Sequence, residues 1–226
     1  MSNLESEDFK KCCEIIQSFK ASLPSVVDPA SISHTAKIPF KVMTYKEALL
    51  HRMTELSDTA IELYKADNKA ISFMLITRAA HETFSLLYVL NKKVIDVVKD
   101  NSIGDFDNYI MTHTFGFRMK ENDNLPTMPN ILKSIDKVDK VLEGSFRRTY
   151  EALSEYCHPN CSGVHQAYVK IDKEQVLAYI GSEYTNLPQE AYVGTLYASL
   201  VMFEEYYNGI SKYMPDFIAV CESEFK

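Results

Sequence analysis

The stretch SEYCHPNCSGVH, Ser154 to His165, gathers the side chains best able to do chemistry. Cys157, His158, Cys161 and His165 offer four nitrogen or sulfur donors to a metal ion, but a proline sits inside the set and no second spaced pair accompanies it, so the zinc pattern is weak. A Cys/His nucleophile pair needs a lowered thiol pKa and a third orienting group, and neither is visible. A third use makes His158 a general acid or base, assisted by Arg147 or Arg78. Ser154, Glu151 and Arg147 lie four, seven and eleven positions before His158, on one helical face with its imidazole. Pro159 disfavours helical geometry at His158, so His158, Pro159, Asn160 and Gly163 together also read simply as a helix stop and a turn.

A second constellation lies in NKAISFMLITRAAHETFSLLYVLNKK. Arg78, His81, Glu82 and Ser85 are separated by offsets of three, four and seven and share an arc of about 100°. Ile71, Met74 and Val89 continue that arc, so the polar stripe is bounded by apolar residues rather than lying on an ordinary solvent face. An isolated buried charge is costly, and Arg78 therefore needs a carboxylate or carbonyl partner, with Glu82 one turn away. The stripe serves either as an ion pair orienting neighbouring helices or as the lining of a cleft.

The elements that must position these residues are mainly helical. Phe9, Cys12, Cys13, Ile16, Phe19 and Leu23 predict a first helix over about Glu5–Leu23, stopped by Pro24. Ser25–Val42 reads as an extended crossing loop. TYKE, from Thr44 to Glu47, reads as a capping box opening a long helix to about Ala66, and Asp67 or Asn68 as the cap of the central helix. A shorter helix is expected over Asp105–Thr114. Another spans about Ile131–Leu142, with Pro129 near its first turn and Gly144 at its end. Ser145 then caps the helix running into His158. QAYVKID and QVLAYIG alternate apolar and polar residues and predict a β-hairpin near residues 165–181. A long helix from about Pro188 closes the chain, with a final turn or two after Pro215.

With 226 residues, 46% hydrophobic and 24% charged, the expectation is a single helical-bundle domain over 1–226: an N-terminal helix and crossing loop over 1–43, then a core bundle with the hairpin over 44–226. No apolar run approaches the ~20 residues of a membrane span. The acidic, amphipathic N-terminus is unlike a secretory signal, and five cysteines with Cys12 next to Cys13 suit free thiols, so a cytoplasmic location is expected. A net charge of −7 opposes general attraction to phosphate backbones.

LITRAAHETFSLLYVL together with YEALSEYCHPNCSGVHQAYVKID resembles a group of uncharacterised bacterial helical proteins with an Arg and Glu helix and an LSE…HPN…G segment. In outline these are similar to the HEPN superfamily, helical bundles of toxin, antiviral-defence and RNA-processing systems, often dimers with a site at the shared interface. The ribonuclease motif of that superfamily is Arg, four to six residues, then His. Leu153, Ala152 and Glu151 stand where its arginine would fall, so the sequence departs from the motif, and only His158 and Arg78 carry over. The resemblance implies a noncatalytic binding or regulatory module, with Arg78, His81, Glu82, Ser154 and Asn160 lining its pocket, that acts as a homodimer on a protein or RNA partner, without membrane, metal or cofactor. The alternative it implies is a metal-independent endoribonuclease using His158 with an arginine.

Overall fold

The computed structural model describes residues 6–66, 69–117, 126–185 and 187–224. The fold is mainly α, a helical bundle with one small β-hairpin. Helix α1 (Glu7–Ser22) starts where the Ser6 hydroxyl accepts from the Phe9 amide at 3.3 Å, and it buries the predicted face of Phe9, Cys12, Ile16 and Phe19.

The next segment differs from expectation. Residues 25–42 are not all extended: α2 (Pro29–Ile32) is a single turn whose Ala30 amide is capped by Asp28 at 3.0 Å, and α3 (Ile38–Lys65) begins well before Thr44. Pro39 in the first turn of α3 has its φ preset for a helix, and Ile38, Val42 and Tyr45 anchor that turn in the core. TYKE is therefore helix interior rather than a capping box. The buried Thr44 hydroxyl has no hydrogen bond among the described residues, and the Glu47 carboxylate turns to Lys46 and Tyr207 instead.

Helix α4 (Ala70–Asp100) is the hub, packing most extensively on α9 (Gln189–Ser223) and α3 and also on α6 (Leu132–Asp139) and α7 (Ser145–Cys157). Its apolar residues on nearly every side are explained by these neighbours. The expected cap at Asp67 or Asn68 lies outside the described residues. Asn101, in a left-handed conformation (φ 50°), ends α4. Helix α5 (Phe106–Phe115) lies within a residue of the predicted span and buries Phe106 and Ile110. Helix α6 is shorter than predicted and runs into a turn closed by Gly144 at φ +86°, a conformation that favours glycine. The Ser145 hydroxyl donates to the Leu142 carbonyl at 2.7 Å and does not cap α7. Asp139 does that work, accepting from the Arg147 amide at 2.8 Å.

Helix α7 stops at Cys157, with His158 extended before Pro159. One π-helical turn (Cys161–His165) and the short α8 (Gln166–Tyr168) lead into β1 (Val169–Asp172), paired antiparallel with β2 (Leu177–Ile180). The predicted strand QAYVKID is thus helical over its first three residues. A 3₁₀ turn (Ser182–Tyr184) follows. Helix α9 does not break at Pro215: the proline is exposed, and Ile210, Met214, Phe217, Val220 and Cys221 keep one buried face on both sides of it. One buried cluster runs from Phe9 to Cys221. No helix among the described residues is long and apolar enough to cross a membrane.

Candidate functional site

Arg78 and Glu82 come together as their spacing predicts, and the third member of the cluster comes from α7. Arg78 Nη2 lies 3.3 Å from Glu82 Oε1 and donates to the Tyr150 hydroxyl at 2.8 Å, while that hydroxyl donates to Glu82 Oε1 at 3.0 Å. The guanidinium also stands 5.0 Å from the Tyr150 ring centroid. Burial works against the Arg78 charge, but the hydrogen bonds to Tyr150 and Cys157 and the charge of Glu82 outweigh it and raise its pKa. Arg78 Nε is buried and has no hydrogen-bond partner among the described residues.

Arg78 and Glu82 open onto a cleft of about 310 Å³ whose other walls are Arg52, Leu75, Thr83, Leu86 and the Met128–Ile131 segment. Arg52, on α3, donates from Nε to the Thr83 hydroxyl at 3.1 Å. Its terminal nitrogens are not used in that bond, and no carboxylate among the described residues pairs with Arg52. Leu75 is 42% exposed, an apolar wall beside two guanidinium groups. With Glu82 neutralising Arg78, the described residues of the cleft leave one positive charge, Arg52, without a carboxylate next to apolar surface. Such a lining suits a ligand with an anionic group and an apolar portion.

The other predicted residues lie elsewhere. His81 points into the core, stacked on Phe146 at 3.6 Å between centroids. Its Nε2 is 3.2 Å from the Phe146 carbonyl and its Nδ1 is 3.1 Å from the Ser199 hydroxyl. A carbonyl only accepts, so the neutral ring carries its proton on Nε2, and the one Ser199 hydroxyl proton, which donates to the Thr195 carbonyl at 3.0 Å, is shared with the unprotonated Nδ1. Burial lowers its pKa to about 4, against the opposing effect of the Phe146 carbonyl. Ser154 is half-buried and spends its hydroxyl on the Tyr150 carbonyl at 2.8 Å. Asn160 closes the turn after α7, accepting from the Gly163 amide at 3.0 Å and donating to Glu155 at 2.7 Å. At Gly163 any Cβ would overlap the His158 carbonyl oxygen, which ties that glycine to the same turn.

His158 is exposed, lines neither this cleft nor a larger one, and no hydrogen bond joins it to Arg78 or Glu82. Arg147 is held by Asp136 at 2.6 Å and Glu151 at 2.7 Å. Cys157 donates to the Leu153 carbonyl at 3.1 Å, and burial raises its pKa despite the opposing charge of Arg78, so the thiol form dominates. Among the described residues no group of three or more His, Cys, Asp or Glu side chains is placed to hold a metal ion, the Cys157, His158, Cys161 and His165 set included. The larger cleft, about 620 Å³, lies between Tyr156, His165, Lys170, Tyr184 and Leu187. Among the described residues no ion pair is fixed at its wall, and the smaller Arg78 cleft has the better-defined chemistry.

Sequence reasoning missed Tyr150, Arg52 and a second charged cluster. Lys46 and Glu47 are buried and paired at 2.9 Å, with the Tyr207 hydroxyl donating to Glu47 at 2.7 Å and Lys46 Nζ 3.5 Å from the Tyr207 ring centroid. Burial lowers the Lys46 pKa, and Glu47 opposes that shift. No protein-family model, curated protein or solved structure matches the chain.

Proposed function

We propose that this chain is a noncatalytic, HEPN-like binding or regulatory module, of the kind that serves bacterial defence or stress response, and that the Arg78 cleft is its recognition site. The observation that carries the reading is the cleft itself. Arg78 is oriented by Glu82 and Tyr150, while Arg52 beside it has no carboxylate partner among the described residues, a lining that suits an anionic group. Among the described residues none gives the His158 side chain a hydrogen bond to orient it, and it stands outside that cleft, whereas a general base needs both placement and reach.

The test pairs binding with cleavage. A panel of labelled short RNAs and acidic peptides is titrated against the protein by fluorescence anisotropy, and the same RNAs are analysed for cleavage. Arg52→Ala and Arg78→Ala should each weaken binding on the order of tenfold, the loss of one charge-assisted contact, while His158→Ala binds as the parent does and no RNA is cut. RNA cleavage that disappears in His158→Ala would overturn the proposal in favour of the metal-independent ribonuclease. Binding indifferent to both arginines would remove the cleft from it.

A further inference from the structure

The β-hairpin is the part of the molecule that the bundle does not cover. β1 and β2 form a sheet of two strands, and every residue of β2 is exposed. On one face Val169, Ile171, Ala178 and Ile180 form an all-apolar set, with Ile171 50% and Ile180 69% exposed. A two-stranded hairpin is marginal by itself and gains from a third strand.

The backbone shows where that strand would go. The Gly181 amide donates to the Tyr168 carbonyl at 2.9 Å, which fixes the alternation along the ladder. Tyr179 faces Lys170 and Leu177 faces Asp172 in hydrogen-bonded pairs, so Ala178 and Ile180 turn their N–H and C=O groups away from β1. Among the described residues no other strand meets them.

The two edges of the hairpin differ in charge. β1 carries Lys170 and Asp172, with Lys173 just beyond, and charged edges are a usual guard against strand addition. From Val176 to Ser182 there is neither a charge nor a proline. In an antiparallel register that sets Ala178 opposite Ile180 of a second copy, the same pairing recurs by symmetry on the other side of the axis. Both outward-facing residues then exchange their N–H···O bonds, and Tyr179 lies opposite its own copy. That register pairs only the uncharged residues of β2, so no charge faces a like charge although each chain carries −7.

We propose that β2 is a homodimerisation edge: two chains join β2 to β2 about a two-fold axis at Tyr179, giving a four-stranded antiparallel sheet. The edge shares no lining residue with the Arg78 cleft, so the proposal stands or falls independently of the ligand-binding reading.

The experiment compares masses by sedimentation velocity over a concentration series, for the parent chain and two double variants with the same number of substitutions. The parent should approach twice its 25.8 kDa mass. A178E/I180E sets glutamate against glutamate at both symmetric pairs and should weaken the dimer on the order of tenfold or more, whereas A178K/I180E sets lysine against glutamate at the same positions and should keep it. Because the two variants alter the same exposed positions, equal far-UV circular dichroism shows that both fold. A parent monomeric throughout the series would overturn the proposal. So would a dimer that A178E/I180E leaves intact, which would assign the contact to another surface, or one that both variants abolish, which would rule out the register.

Discussion

Two clusters in this molecule use the same three kinds of side chain, a cation, a carboxylate and a tyrosine, with opposite consequences. Lys46, Glu47 and Tyr207 lock α3 to α9 with side-chain exposures of 3% and 10% for the ion pair. Arg78, Glu82 and Tyr150 join α4 to α7 with 28% and 25%, at longer contact distances. In the first, every charge is taken out of water and must be answered inside the protein, so the cluster is a fastening. In the second, water reaches one side, the pair costs less to form, and arginine groups remain available to something else. Burial, more than residue type, separates the structural triad from the one suited to recognition.

The largest effect that could break this comparison comes from Glu47→Ala, which leaves Lys46 charged and alone in the core. It should destabilise the fold by about 3–5 kcal/mol, read as a lower urea midpoint, whereas Glu82→Ala should cost about 1 kcal/mol or less. Equal losses would erase the distinction. Replacing the buried pair with Lys46→Met and Glu47→Leu together should recover most of the loss, since removing both charges removes the desolvation cost.

His81 sharpens the same contrast, because it neighbours Glu82 in sequence but faces the core. Its folded pKa of about 4 lies below the ordinary histidine value of 6.5, so between those limits the unfolded chain binds more protons. The stabilisation due to a neutral His81 is complete above pH 6.5 and is lost as pH falls towards 4, amounting to about 3 kcal/mol. Urea midpoints measured from pH 7.5 to 4 should show this slope in the parent and a shallower one in His81→Gln. A parallel pair of curves would mean the ring is not held neutral.

Smaller still are the hydroxyl deletions. Tyr207→Phe leaves one buried Glu47 oxygen without its donor and should cost about 1–3 kcal/mol, while Tyr150→Phe at the half-open cluster should cost about 1 kcal/mol or less, both read from denaturant midpoints. Last, raising salt to about 1 M should shrink the difference between parent and Glu82→Gln and leave the cost of Tyr207→Phe unchanged, since screening reaches only the open cluster.

Much of the bundle was legible because helical period and proline placement are local signals. α1, α5 and the hairpin sit close to where the sequence puts them. The start of α3 was not legible, since Thr44 and Glu47 have the spacing of a capping box and only Tyr207, 160 residues away, shows where the carboxylate goes. At the site, the Arg78 and Glu82 pair follows from an offset of four, but Tyr150 enters from 72 residues away and nothing local announces it. His158 drew attention because its neighbours are chemically dense. Pro159, Asn160 and Gly163 prove to be the parts of a helix stop and turn. Arg52 was missed because its helix had been read only for its cap and its length, and Thr83, the partner that places it, lies 31 residues away.

The hub position of α4 has a consequence for synthesis. Its most extensive contact is α9, which starts roughly 90 residues after α4 ends. At about 5–20 residues per second, a ribosome takes roughly 5–20 seconds to cover that gap before the first turn of α9 is made. Throughout that interval a helix apolar on nearly every side has α3, and then α6 and α7, to lie against, while the face that α9 will cover stays open to water.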